Sequence, residues 1–116
     1  VLDVSLVNYA PILEHEGTVA MVKFYAPWCY HCNQMSSTYE RLAKRVHEHY
    51  TGGLTIAQID CDEQGGLRLR YNVTAYPTVG LVREGRVVHL YEGRKEEPDM
   101  LEWLRAVVPE LKRVRA

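Results

Sequence analysis

Val19-Ala20-Met21-Val22-Lys23-Phe24-Tyr25-Ala26-Pro27-Trp28-Cys29-Tyr30-His31-Cys32 is the stretch that decides the fold. From Val19 to Tyr25 only Lys23 interrupts an apolar run, the pattern of a central strand buried on both faces. Two cysteines then follow, three apart, where strand gives way to helix. A cysteine at a helix N-terminus meets unpaired backbone N–H groups and the positive end of the helix dipole, which stabilise its thiolate. Cys29 is therefore expected to be the nucleophile. Cys32, one turn on, is within reach of a mixed disulfide at Cys29 and can resolve it without any cofactor.

Composition narrows the rest. The 116 residues, 47% hydrophobic and 25% charged, suit a single domain spanning residues 1–116 with one core. A formal net charge of −1 gives no electrostatic footprint for nucleic acid, and no run of about 18 apolar residues is present to span a bilayer. Three cysteines are too few for a disulfide-stapled scaffold, so the close pair reads as chemical. Half of a zinc site is the other possibility, but a closed site needs about four ligands and only His31 and Cys61 are at hand; no metal is expected. The chain starts at Val1 with neither a methionine nor a charged-then-apolar leader, and is expected to be processed or excised from something longer.

Residues 1–4 read as a short edge strand, and residues 6–14 as a weak helix capped by Asp3 or Ser5 and weakened by Pro11. After Cys29, the residues Met35, Tyr39, Leu42, Ala43, Val46 and Tyr50 recur at spacings of three and four. They form one apolar stripe on a long helix ending before Gly52-Gly53, with His47 and His49 on its exposed side. Residues 54–59 predict a second buried strand and residues 64–71 a short helix handicapped by Gly65 and Gly66. Residues 78–82 and 87–91 flank a hairpin turn in which Gly85 takes positive φ. Pro98 suits the first turn of a last helix with Met100, Leu101, Leu104, Val107 and Val108 on its core face, stopped by Pro109. The order βαβαβαββα is an α/β class: crossovers pair strands in parallel and the hairpin adds antiparallel ones, giving a mixed sheet covered on both faces. Lys112-Arg113-Val114-Arg115 reads as a solvated tail.

Three segments carry a resemblance: residues 24–32, Tyr71-Asn72-Val73-Thr74-Ala75-Tyr76-Pro77-Thr78, and Tyr91-Glu92-Gly93-Arg94. In this order and spacing the chain resembles, over essentially its whole length, a catalytic thioredoxin-fold domain of the protein disulfide isomerase family. The resemblance implies a central mixed five-stranded sheet flanked by four helices. It also implies a cis Pro77 facing the disulfide, with the Tyr76 backbone offered to an extended substrate strand and Trp28 on the same substrate face. Without the resemblance, Pro77 reads equally as a trans residue starting an edge strand. Arg94 matches the family's arginine that swings toward the active site and favours ionisation of the resolving cysteine; its plainer reading is a surface arginine after a turn glycine.

Four positions set the tuning. His31, between the cysteines, can hydrogen-bond or carry charge near the Cys29 sulfur, which makes the disulfide the stronger oxidant. Tyr30 stands where the family has glycine, and either narrows substrate access or is a neutral surface change. Lys23 stands where the family buries an acid. A neutral amine there can accept a proton, a charged one favours the Cys32 thiolate, and a snorkelling one plays no part. Ser37 replaces a helix proline of the family, so a straighter helix is expected. Cys61 is expected to be buried as a small hydrophobe, and Asn72, in a glycosylation sequon, is also a residue that tolerates positive φ.

The function implied is a thiol–disulfide oxidoreductase or isomerase acting on cysteine-containing proteins, with an oxidase or glutathione as redox partner. A monomer in the endoplasmic reticulum lumen or another secretory compartment is expected. Two alternatives stand beside it: a thioredoxin-like reductase, in which proline between the cysteines is more usual than His31, and a substrate-binding or chaperone module with residual redox chemistry, which Lys23 and Ser37 would suit.

Overall fold

The apolar run before the cysteines forms β2 (Val19–Tyr25), with six of its seven residues buried. Both its edges are paired, in parallel with β4 (Leu54–Asp60) and antiparallel with β5 (Thr78–Arg83). Outside them lie β1 (Leu2–Asp3), parallel to β4, and β6 (Arg86–Leu90), antiparallel to β5, so that the sheet runs β1-β4-β2-β5-β6. The structure, a computed structural model, describes residues 1–114.

Alternation along β2 separates two cores. Val19 and Met21 pack against α1 (Tyr30–His49) and α3 (Glu97–Val107) through Met35, Tyr39, Leu42, Met100 and Leu104. Ala20, Val22 and Phe24 face a π-helical turn (Ala10–Glu14) and α2 (Gly65–Arg70) through Leu13 and Leu67. Among the described residues the helices are three α-helices and one π-helical turn. α1 runs unbroken for 20 residues through Ser37, and its stripe Cys32, Met35, Tyr39, Leu42 and Val46 is buried as the spacing predicts. The Tyr39 hydroxyl lies 3.1 Å from the Met21 carbonyl oxygen and 2.8 Å from that of Ala57, tying the helix to β2 and β4.

Several expectations need correction. The helix over residues 6–14 is only the five-residue turn at its end. Ser5 explains the loss: its N–H donates to Asn8 Oδ1 and its hydroxyl accepts from Val7 N–H, local bonds that compete with a helix, and Pro11 lacks a donor. Tyr50 belongs to β3 (Tyr50–Thr51), not to α1. Lys112 and Arg113 are exposed but not a free tail, because they form β7 (Lys112–Arg113), paired antiparallel with β3, and Val114 N–H donates to the His49 carbonyl. Arg115 lies outside the described residues. The sheet is not covered throughout, since all five residues of β6 are exposed at its edge. Expected positive φ is present at Gly85 (85°), joined by Glu84 (49°), and at Asn72 (56°).

Removing the Tyr39 hydroxyl takes away the one O–H that the Met21 and Ala57 carbonyls share. Tyr39→Phe is expected to lower unfolding stability by about 1–2 kcal/mol, measured by urea denaturation with an unchanged slope.

Candidate active site

Cys29 is the N-cap of α1, with extended backbone (φ −78°, ψ 115°), and its Sγ accepts the backbone N–H of Cys32 at 3.2 Å. The turn is held by Cys29 N–H donating to the Ala26 carbonyl at 3.1 Å and by Asn33 Nδ2 donating to the Pro27 carbonyl at 3.1 Å. Cys29 and Cys32 form a disulfide with their Cα atoms 5.2 Å apart. Cys29 is 6% exposed and Cys32 1%, so Cys29 is the sulfur an incoming group meets first. A thiolate generated at Cys29 has a helix N-terminus and a donor already aimed at it.

Aromatic side chains frame the pair. Tyr25 and Tyr76 pack against the cluster of Ala26, Cys29 and Cys32. The Tyr76–Pro77 bond is cis, as the resemblance implied. Trp28, 68% exposed, stacks edge-on against Tyr76 with centroids 5.8 Å apart, and its Nε1 donates to Asp62 Oδ2 at 2.6 Å. Tyr30, 69% exposed, accepts a hydrogen bond from Gln34 Nε2 at 3.0 Å, and Gln34 Oε1 lies 3.2 Å from His31 Nδ1. Gln34 thus bridges the Tyr30 hydroxyl and the His31 ring. A groove of about 480 Å³ opens beside the pair, lined by His31, Gln34, Met35, Thr38, Pro77 and Lys95 with Glu96.

The remaining expected residues sit around this core. Arg94 is exposed and enters no ion pair among the described residues. Its backbone is anchored instead: the Tyr91 hydroxyl donates to the Arg94 carbonyl, and the Tyr91 ring rests edge-on against Trp103 at 5.1 Å. Gly93 is required there, since a Cβ would stand 2.7 Å from the Tyr91 hydroxyl oxygen. Lys23 is 2% exposed, so the snorkelling alternative is not realised; its ammonium lies over the rings of Tyr25 (5.0 Å) and Tyr39 (5.2 Å). Burial pushes its pKa below the usual lysine value, with Glu40 and Asp3 acting in the opposite direction. Cys61 is buried, and burial raises its thiol to about 11.

Sequence reasoning missed Gln34, Asp62 and Tyr91. Gln34 was legible, standing four after Tyr30 and three after His31 on a predicted helix. Asp62 was not, because its contact spans 34 residues. Among the described residues no group of His, Cys, Asp and Glu could hold a metal ion, and no helix is long and apolar enough to cross a membrane.

Iodoacetamide at pH 8 should alkylate Cys29 in the reduced, native protein and spare Cys61 until denaturant is added; native labelling of Cys61 would contradict its burial. Because the Cys61 pKa rises from its usual 9.0 to about 11 on folding, its contribution to stability is whole below pH 9 and is lost as pH climbs through about 11. The unfolding midpoint should therefore fall more steeply over that window in the wild type than in Cys61→Ala. Tyr30→Gly should speed exchange with a folded protein disulfide several-fold more than with a small disulfide, and stopped-flow rates that rise equally for both would rule out a gating role.

A family profile described as Thioredoxin matches residues 1–106. Protein disulfide-isomerase A4 of Mus musculus is 34% identical over 103 residues, which cover 89% of this chain and 16% of that protein. A thioredoxin domain-containing protein 5 homolog of Drosophila melanogaster is 36% identical over 89 residues, 75% of this chain and 21% of that protein. Among solved structures, human ERp44 in its zinc-bound form superposes with a TM-score of 0.83 at 26% identity, covering 91% of this chain and 31% of that one. The chain thus spans roughly a sixth to a fifth of the curated relatives it matches. With the profile covering nearly its full length and the disulfide at the head of α1, the chain belongs to the thioredoxin family, as a domain of the kind that protein disulfide-isomerases carry.

Proposed function

We propose that this domain exchanges disulfides with cysteine-containing proteins, in the oxidising or isomerising direction. The observation that carries this reading is the position of Cys29: N-cap of α1, acceptor of the Cys32 N–H, and the less buried sulfur of the pair. In oxidation, a substrate thiolate attacks Cys29 Sγ and Cys32 leaves as a thiolate. A second substrate thiolate then attacks the substrate sulfur of the mixed disulfide, Cys29 leaves, and the substrate disulfide is complete. Two electrons now reside on the Cys29–Cys32 dithiol, and an oxidase or oxidised glutathione removes them. Isomerisation begins instead from the Cys29 thiolate, which opens a wrong disulfide and is later displaced by a different substrate thiolate.

Trp28, Tyr76 and Pro77 supply the face on which an extended substrate strand rests, and exposed aromatic area beside the disulfide supports that assignment. His31, held by Gln34, brings a protonatable ring to the exposed side of the pair, and Tyr30 shields it. Arg94 is the mobile cation, long enough and unpaired enough in an ion-pair sense to move while Tyr91 fixes its backbone. Lys23 is the buried member of the tuning set. The names of the relatives support residence in the endoplasmic reticulum or another secretory compartment.

Equilibration against glutathione is the direct test. A potential near −180 mV supports oxidation and isomerisation, whereas one near −270 mV supports a thioredoxin-like reductase. Cys29→Ser should abolish reduction of insulin disulfides; a variant that still binds unfolded substrate and loses nothing measurable would point to a binding module instead.

A further inference from the structure

Lys23 is the one buried charged side chain among the described residues, and which of its possible tuning roles it plays is open in the exchange chemistry described so far. An ammonium removed from water is strongly disfavoured unless its surroundings compensate. Here they do. The faces of Tyr25, on β2, and Tyr39, on α1, lie 5.0 and 5.2 Å from Nζ. Glu40 of α1 and Asp3 of β1 oppose the effect of burial, Glu40 being itself 3.6 Å from the Val1 ammonium. The in-register neighbours on β4 and β5, Gln58 and Val79, bring no charge. Aromatic faces and carboxylates thus work against the effect of burial and toward the protonated amine.

Location gives that charge a use. Cys32, Met35 and Tyr39 form the buried stripe at the head of α1, and Lys23 lies beneath it, against Tyr39. The Tyr25 ring is shared, with the Lys23 ammonium on it and Ala26, Cys29 and Cys32 packed against the same side chain. The Tyr25 side chain is thus in contact with the ammonium and with the sulfur pair. The two sulfurs differ in what awaits them as anions. Cys29 has the helix end and the Cys32 N–H, whereas Cys32, 1% exposed, has already spent its N–H on Cys29.

We propose that the Lys23 ammonium is the counter-charge of the Cys32 thiolate, acting across the Tyr25 ring, and that it makes the Cys29–Cys32 disulfide more oxidising. The proposal rests on the exchange reading above and adds the element that sets its direction. When a substrate thiolate attacks Cys29, the S–S electron pair goes to Cys32 Sγ, which leaves as a thiolate beside a fixed positive charge and needs no proton. Lys23 keeps its own proton throughout. Its role is to lower the free energy of the state in which Cys32 is anionic, which is the leaving group in oxidation and the attacking group in release.

The test is Lys23→Met, which keeps length and volume while removing charge, with Lys23→Gln as a second uncharged variant should the first not fold. Each is equilibrated with reduced and oxidised glutathione at pH 7, quenched in acid, and its disulfide fraction read by mass spectrometry. The equilibrium is expected to move about tenfold toward the disulfide, a potential about 30 mV more reducing. In a Cys29→Ser background, the Cys32 thiolate absorbance at ultraviolet wavelengths is expected to titrate at higher pH in Lys23→Met than with Lys23 present. A merely structural lysine would change the stability of oxidised and reduced forms alike and leave both readouts unmoved. An equilibrium within twofold of wild type, or displaced toward the dithiol, overturns the proposal. Wild-type protein that fails to exchange with glutathione would instead overturn the reading on which it rests.

Discussion

Everything at the reactive end depends on where β2 stops. With β4 in parallel on one edge and β5 antiparallel on the other, its backbone donors and acceptors are committed to ladders on both sides. Tyr25 is the last residue of this pairing, and Ala26-Pro27-Trp28 has only three residues in which to leave the sheet before Cys29 caps α1. The sulfur pair therefore inherits its position from the centre of the sheet. The same strand end receives the Cys61 N–H on the Tyr25 carbonyl at 2.8 Å, so the loop after β4, which carries Asp62 to Trp28, is drawn into place by the strand that delivers the cysteines.

Features whose cause lies within a few residues were legible in the sequence. Strand β2, the stripe on α1, the hairpin turn at Gly85 and the positive φ of Asn72 follow from local pattern. Those that failed depend on competition or distance. The helix over residues 6–14 loses to the Ser5 and Asn8 side chains, whose bonds satisfy the backbone more cheaply than a proline-bearing helix. Tyr50 fits the stripe by spacing but is claimed by the returning segment at residues 112–113, a partner more than sixty residues away that periodicity does not see. At the site, the cysteines, Tyr30 and His31 were visible because they are contiguous, while Asp62 matters through a contact that only the fold creates.

The two layers around the sulfur pair differ in character. On the outside, Trp28, Tyr30 and His31 are exposed and held by single hydrogen bonds to Asp62 and Gln34, an arrangement that can yield to an incoming chain. On the inside, Cys32, Tyr25 and Lys23 are packed between the sheet and α1 with little freedom. On the function proposed above, recognition and tuning are separated by depth: substitutions among the outer residues would act on access, and those among the inner residues on the relative stability of the two oxidation states. A family position that usually carries an acid can accept a base on this inner layer because the fold surrounds it with tyrosine faces and two carboxylates.

The pairing of β3 with β7 also has a mechanical side. It lies at the C-terminal end of α1, and a 20-residue helix is about 30 Å long, so the last described residues are pinned nearly a full domain length from Cys29. Val1, beside Glu40, enters on the α1 side well behind the cysteines. A tether leaving either end pulls on the base of the domain and leaves the sulfur-bearing tip free to sweep. In a longer chain, how often that tip meets a client becomes a matter of linker length and stiffness, adjustable without altering a single atom of the reactive centre.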